Sequence, residues 1–163
     1  MWFRNLRAYR FPSRLGIEPD ELERRLKSRF FTPCLPSQEK SLGWVPALND
    51  DASSLVHVAS HYWMIRLKCE ARLLPPSVVR EEANERCAKI SKNERRRITQ
   101  RERRSITDDV RQDLLPRAFT RSSIIRLIVA ERAGWIWLDS GSISRSEEAL
   151  NHLREVLGHM PVS

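Results

Sequence analysis

Two prolines frame the stretch that most limits the architecture of this chain. From Pro75-Pro76 to Pro116 the residues pattern as helix, while the segments on either side alternate as strands do. Before it, Trp63, Ile65, Leu67 and Cys69 alternate with Met64, Arg66, Lys68 and Glu70, the period of a half-buried strand. Residues 55–59 pair with that strand as a hairpin turning at Ser60-His61. Inside the frame, Glu81, Glu82 and Glu85 precede Arg86, Lys89 and Lys92. That order suits the helix macrodipole and predicts a helix to about Ser91, broken at Lys92-Asn93. Thr99 and Glu102 have capping-box spacing, so a second helix starts there and runs to Leu115. On it Ile98, Ile106, Val110 and Leu114 fall on one side, and Arg101, Arg104 and Arg111 on the other. Arg97 joins the basic stripe only if helical geometry reaches back before Thr99.

The remaining elements are set by local signals. Residues 2–11 read as a strand. Residues 19–30 read as a helix, with Pro19 at its first position, acids Asp20, Glu21 and Glu23 in its first turns, and Leu22, Leu26 and Phe30 facing a core. Residues 42–45 form a short strand. Residues 119–129 and 135–139 form a second hairpin, turning at Ala133-Gly134. A closing helix is capped by Ser144 with Glu147, lined by Ala149, Leu150, Leu153, Val156 and Leu157, and ended by Gly158. The fold class is α+β: an antiparallel sheet packed with helices, with an inserted helical hairpin. Residues 1–75 and 117–163 make a discontinuous core domain, and residues 76–116 make the insert.

Charge narrows the function. Residues 86–126 hold 13 Lys/Arg and 5 Asp/Glu, whereas the other 122 residues hold 16 of each, so the net +8 is local. A focused basic patch on a balanced domain is the footprint of a polyanion binder, although charge runs are often only a solvated helix face. The candidate DNA contacts are Arg95, Arg96, Arg97, Arg101, Arg103, Arg104, Arg111, Arg117 and Arg121. Guanidinium groups bind phosphate bidentately, and no base-reading motif is present, so binding would be independent of sequence. The tryptophans, Trp2, Trp44, Trp63, Trp135 and Trp137, can stack on single-stranded bases but fit a core better. Phe119 likewise reads as core, with an exposed oligomer contact as the sharper alternative.

No catalytic motif, cofactor or metal is expected. His57, His61 and Cys69 read as ordinary residues around a hairpin. Asp108, Asp109 and Asp113 can be drawn as a nuclease cluster, but ion pairing with Arg104, Arg111 and Arg117 explains them better. Cys34, Cys69 and Cys87 are odd in number and scattered, which suggests a reducing, cytoplasmic compartment. The start of the chain lacks a signal-peptide pattern, and no apolar run is long enough to cross a membrane.

Several segments together carry a family resemblance. They are Met1-Trp2-Phe3-Arg4-Asn5-Leu6, Phe31-Thr32-Pro33-Cys34, Ser37-Gln38-Glu39, Leu42-Gly43-Trp44-Val45-Pro46, Leu73-Leu74-Pro75 with Val78-Val79, and the run from Leu114-Leu115-Pro116 through Arg117-Ala118-Phe119-Thr120-Arg121. Toward the end come Ala149-Leu150, Leu153-Arg154 and Leu157-Gly158-His159-Met160-Pro161-Val162. Collinear and spread along the chain, they resemble the RdgC family of recombination-associated proteins. The resemblance implies a non-enzymatic, nucleoid-associated, cytoplasmic protein that binds double-stranded DNA. It implies a ring-shaped homodimer around the duplex and antagonism of RecA by competition for DNA. By analogy the helical insert is a tip that helps close the ring, with Phe119 at the tip-to-tip contact. Three departures stand out. The chain stops where family members are about half finished, Ser60-His61 replaces an Asn-Gly turn, and the insert is richer in Arg. The alternative from another class is a protein-interaction or assembly module whose basic hairpin docks on an acidic or self partner surface.

Overall fold

The structure is a computed structural model; it describes residues 3–11 and 15–158. In chain order the elements are β1 (Leu6–Arg10), α1 (Pro19–Lys27), β2 (Lys40–Val45), β3 (His57–Ala59), β4 (Tyr62–Arg72), α2 (Pro76–Glu94), α3 (Gln100–Leu114), β5 (Thr120–Ala130), β6 (Trp135–Asp139) and α4 (Ile143–Leu157). Short 3₁₀ turns come after α3 and β5. The six strands form one antiparallel sheet in the order β1-β6-β5-β4-β2, with β3 on β4. This is the expected α+β class with its inserted helical hairpin. The expectation of one short strand before the first hairpin is met by β2.

The chain divides into two compact units. One comprises Met1–Thr32, Leu42–Cys69 and Ser123–Ser163; the other comprises Pro33–Ser41 and Glu70–Ser122. Each has a core of its own. In the first, alternation along the strands turns Trp63, Ile65 and Leu67 of β4, Ile125, Leu127 and Val129 of β5, and Ile136 and Leu138 of β6 to one side. Leu22 and Leu26 of α1 and Ala149, Leu150, Leu153 and Val156 of α4 join them in one buried cluster. Each Val, Leu or Ile among them contributes roughly 1.5–3 kcal/mol on burial. In the second, Val79 and Ala83 of α2 meet Val110 of α3, with Leu74, Ile106 and Leu114 packed around them.

The departures from expectation have local causes. The first strand is confined to Leu6–Arg10, and residue 2 lies outside the described residues. The helix α1 ends at Lys27, not Phe30, because the chain tightens into three-residue turns: the Ser28 N–H donates to the Arg25 carbonyl at 3.2 Å and the Arg29 N–H to the Leu26 carbonyl at 3.0 Å. Residues 29–31 then run beside β2: Trp44 N–H donates to the Arg29 carbonyl at 2.9 Å, and Phe31 N–H to the Trp44 carbonyl at 2.9 Å. Phe30 therefore leaves the helical period and is 52% exposed instead of facing the core. The close approach explains Gly43, where a Cβ would lie 2.3 Å from Phe31 Cα. The first arm of the hairpin begins at His57, and Ser60 accepts the left-handed turn at φ 57° that an Asn or Gly would take more easily. At the other hairpin Gly134 adopts φ +71°, in the left-handed region, and a Cβ there would press on the Phe11 carbonyl at 3.0 Å. The cap of α4 is Ser142, not Ser144: Ser142 is extended, and its hydroxyl accepts from the Arg145 N–H at 3.4 Å. Ser144 lies inside the first turn, although its spacing to Glu147 imitates a capping box. The resemblance at residues 159–162 lies outside the described residues.

Candidate nucleic-acid interface

The basic segment falls mostly on the second unit, on α2, α3 and the residues just after α3. The helix α2 begins with Pro76 at its first position and buries Val79, Ala83 and Cys87, one turn apart, so its opposite side is left to water. It runs to Glu94, beyond the expected break at Lys92-Asn93. Ser91 Oγ donates to the Arg96 carbonyl at 2.6 Å, closing the last turn, and Arg95 takes the left-handed position at φ 51°. Thr99 caps α3 as the spacing predicted. Its hydroxyl accepts from the Glu102 N–H at 3.2 Å, and its N–H donates to Glu102 at 2.8 Å. Two polar links tie the hairpin across its core: Arg86 to Asp113 at 2.7 Å and Arg103 to Asn84 at 2.7 Å.

The nine candidate arginines separate by their partners. Arg96 is exposed but already engaged by carboxylates, within 2.5 Å of Glu94 and by both carboxylate oxygens of Glu102 at 2.7 and 3.0 Å. The Arg96 hydrogen bonds come first in holding the Glu102 carboxyl down at about 2, with the Thr99 N–H and hydroxyl next. The same carboxylates, Glu102 first and Glu94 second, raise the Arg96 guanidinium above its ordinary value. Arg103 donates to Asn84, and Arg111 lies 3.6 Å from Glu39. Among the described residues, Arg95, Arg97, Arg101, Arg104, Arg117 and Arg121 form no ion pair, and all six are exposed.

Arg97 is not part of the α3 stripe, because helical geometry starts only after Thr99; it stands on the connection with Arg95. Arg101 and Arg104 project from the outer side of the first turns of α3, opposite Val110. Arg117 and Arg121 lie after the helix, at the end of the 3₁₀ turn and in β5. Lys92 was not among the sequence candidates. Because α2 continues through it, Lys92 reaches the exposed last turn beside the connection. Nor was Arg72, a structural centre of this unit. The Arg72 guanidinium donates to the carbonyls of Ala118 at 3.0 Å, Pro116 at 3.3 Å and Leu35 at 3.3 Å.

The remaining candidates have plain positions. Phe119 is 85% exposed, so its reading as core is overturned. Its carbonyl accepts from the Leu73 N–H at 2.7 Å, which fixes the backbone while the ring points into solvent. Asp113 pairs with Arg86 of α2, not with the arginines flanking it on its own helix, while Asp108 and Asp109 are exposed. Trp44 and Trp63 are buried as expected; Trp135 is 37% exposed, and Trp2 lies outside the described residues. His61 lies 2.9 Å from Arg132. Cys34, Cys69 and Cys87 are buried, and none of the three is in a disulfide. Among the described residues no helix is long and apolar enough to cross a membrane.

Comparison with known proteins supplies the family. Residues 1–163 match the family model described as "Putative exonuclease, RdgC". The chain is 39% identical over 163 residues to the recombination-associated protein RdgC of Pseudomonas putida (strain GB-1), covering 99% of this chain and 53% of that protein. It is 38% identical over 163 residues to the protein of the same name from Pseudomonas entomophila (strain L48), covering 99% and 53%. Its identity to the one from Shewanella halifaxensis (strain HAW-EB4) is 33% over 162 residues, covering 99% and 54%. The chain thus spans about half the length of the curated relatives it matches. Matched from its first residue to its last, the chain belongs to the RdgC family.

Proposed function

We propose that this chain binds double-stranded DNA without regard to sequence and acts in recombination by limiting the access of RecA to DNA. The observation that carries the reading is the group of six exposed arginines without ion pairs, Arg95, Arg97, Arg101, Arg104, Arg117 and Arg121, together on one unit. An arginine without a carboxylate partner keeps its full charge for phosphate and releases counterions when it binds. The recombination-associated name of the relatives supports the same reading. A nucleoid location in the cytoplasm goes with it, as does a homodimer in which Phe119, with most of its ring in water, is the contact between tips. The protein is a binder and not a nuclease in this reading: Asp113, one of the three carboxylates on α3, is already engaged by Arg86.

The test is fluorescence anisotropy of the 163-residue chain with a labelled random duplex at several salt concentrations. If about six phosphates are neutralised, the slope of log K against log salt is roughly −5. Replacing Arg97, Arg101 and Arg104 with Ala should weaken binding and flatten that slope by about 3, while the oligomer stays unchanged. A slope near zero would sink the electrostatic mechanism. A changed oligomer with unchanged DNA affinity would favour the assembly-module alternative. Magnesium-dependent degradation of the duplex, abolished by Asp109→Asn, would replace binding with nuclease chemistry.

A further inference from the structure

The sheet of the first unit has a second face. Both helices of that unit, α1 and α4, place their buried residues in the same cluster as the inward strand residues. The intervening residues of β4, β5 and β6 point the other way; on that side Arg66 of β4 is buried and paired with Asp50 at 2.9 Å and Ala130 of β5 is buried, while the aromatic residues toward β6 keep part of their surface in water. That face is aromatic. Tyr62 of β4 and Trp137 of β6 stack with ring centroids 5.7 Å apart and planes 28° apart. Trp135, two residues along β6 on the same face, is 37% exposed, and Tyr62 is 45% exposed. Two residues of strand advance roughly 6.8 Å, a step that an extended nucleic-acid strand can match.

The surrounding charge is basic. Arg10 lies directly opposite Trp135 across the β1–β6 ladder and is exposed. Ala8 lies opposite Trp137, and its small exposed side chain leaves the flank of that ring open. Arg126 is 40% exposed and uses one nitrogen on Asp139 at 3.3 Å. Asp139 is the single carboxylate carried by β1, β5 and β6, and it is fully engaged. It accepts from the Arg4 N–H at 3.0 Å and the Asn5 N–H at 3.2 Å, and its side chain is only 10% exposed. The face therefore presents aromatic rings and cations with no competing free acid on these three strands.

We infer that this face is a stacking platform for the unpaired bases of a single-stranded nucleic acid, with Arg10 and Arg126 holding the backbone. Rings that stack on any base, flanked by guanidinium groups, bind single strands with little sequence preference. An apolar protein surface would be served by the rings alone and would gain nothing from the exposed Arg10 or from the guanidinium edge that Arg126 keeps beyond its contact with Asp139. The site is separate in residues and in chemistry from the arginines proposed for the duplex, so either reading can fail alone.

The experiment uses the 163-residue chain with fluorescein-labelled (dT)15, (rU)15 and a blunt random duplex. Combining Tyr62→Ala with Trp137→Leu should weaken single-strand binding about tenfold or more. Ala8→Glu, an exposed position where folding is not at stake, should weaken it severalfold by placing an anion beside the strand. Both variants should leave duplex binding unchanged, and tryptophan fluorescence should be quenched by (dT)15 in the parent and less so in the double variant. Equal response to (dT)15 and (rU)15 supports a platform for either sugar, and a preference supports one. The inference is overturned if the parent binds neither oligonucleotide or if both variants bind as the parent does. It is also overturned if light scattering shows that they alter the oligomer instead, which would make the face a contact between copies. Should the double variant fail to fold, Ala8→Glu decides.

Discussion

Arg95 and Arg96 are neighbours with opposite roles. Arg95 sits at φ 51°, a left-handed conformation that strains any residue with a Cβ, so Arg95→Gly should stabilise the protein by about 0.5–1 kcal/mol. Thermal melting would check this, and loss of one cation should cost a little duplex affinity at the same time. Arg96 is drawn into Glu102, whose carboxyl is held at about 2 in the folded protein against 4.5 ordinarily. A lowered carboxyl contributes stability that is complete above the ordinary value and is lost as pH falls through the folded one. Melting temperatures should therefore drop between about pH 4.5 and pH 2, and Glu102→Gln should flatten part of that drop. The same substitution removes one anion and leaves Arg96 with Glu94 as its remaining carboxylate partner, so duplex binding should tighten and its salt slope steepen by less than about 1. None of this partition was legible from the chain, because an arginine that pairs and one that does not look alike in a sequence. Burial acts the other way on His152: desolvation lowers its value, opposed chiefly by Glu155, so its neutral form is favoured in the fold. Stability should accordingly fall as pH drops through about 6.5, and less so in His152→Gln.

At the level of elements, the inserted hairpin depends on few buried contacts. Val110, fully buried, meets Val79 and Ala83, and little else of the second unit is apolar and buried around them. Val110→Ala should destabilise by about 2 kcal/mol. Hydrogen exchange should show the loss first in α2 and α3, where the local core is smallest. Arg72 is the other support. Arg72→Leu leaves three carbonyls without their charged donor and should cost about 2 kcal/mol, read by chemical denaturation. The pattern of α3 was readable because its apolar residues recur at helical spacing and Thr99 with Glu102 forms a cap. The end of α2 was not. It is set by Ser91 reaching the Arg96 carbonyl and by the left-handed Arg95, neither of which has a sequence signal.

On the scale of the molecule, one chain carries two surfaces of different chemistry on two compact units: exposed arginines on one, stacked rings with arginines on the other. Double-strand and single-strand binding should therefore separate under mutation. The arginine triple variant should lower duplex affinity and spare (dT)15, and the Tyr62 and Trp137 double variant should do the reverse. Period-two and period-3.6 patterns, caps and proline positions determine most of the elements and the α+β class, because they act through neighbours within a few residues. The local excess of charge was equally plain, since charge is counted residue by residue. Three things depended on contacts between distant residues and emerged only in the folded chain. Phe30 turns outward because residues 29–31 pair with β2. Phe119 is exposed because its backbone, not its ring, is held by Leu73. Tyr62 and Trp137, far apart in the chain, become a stack because β5 brings β4 and β6 onto one sheet.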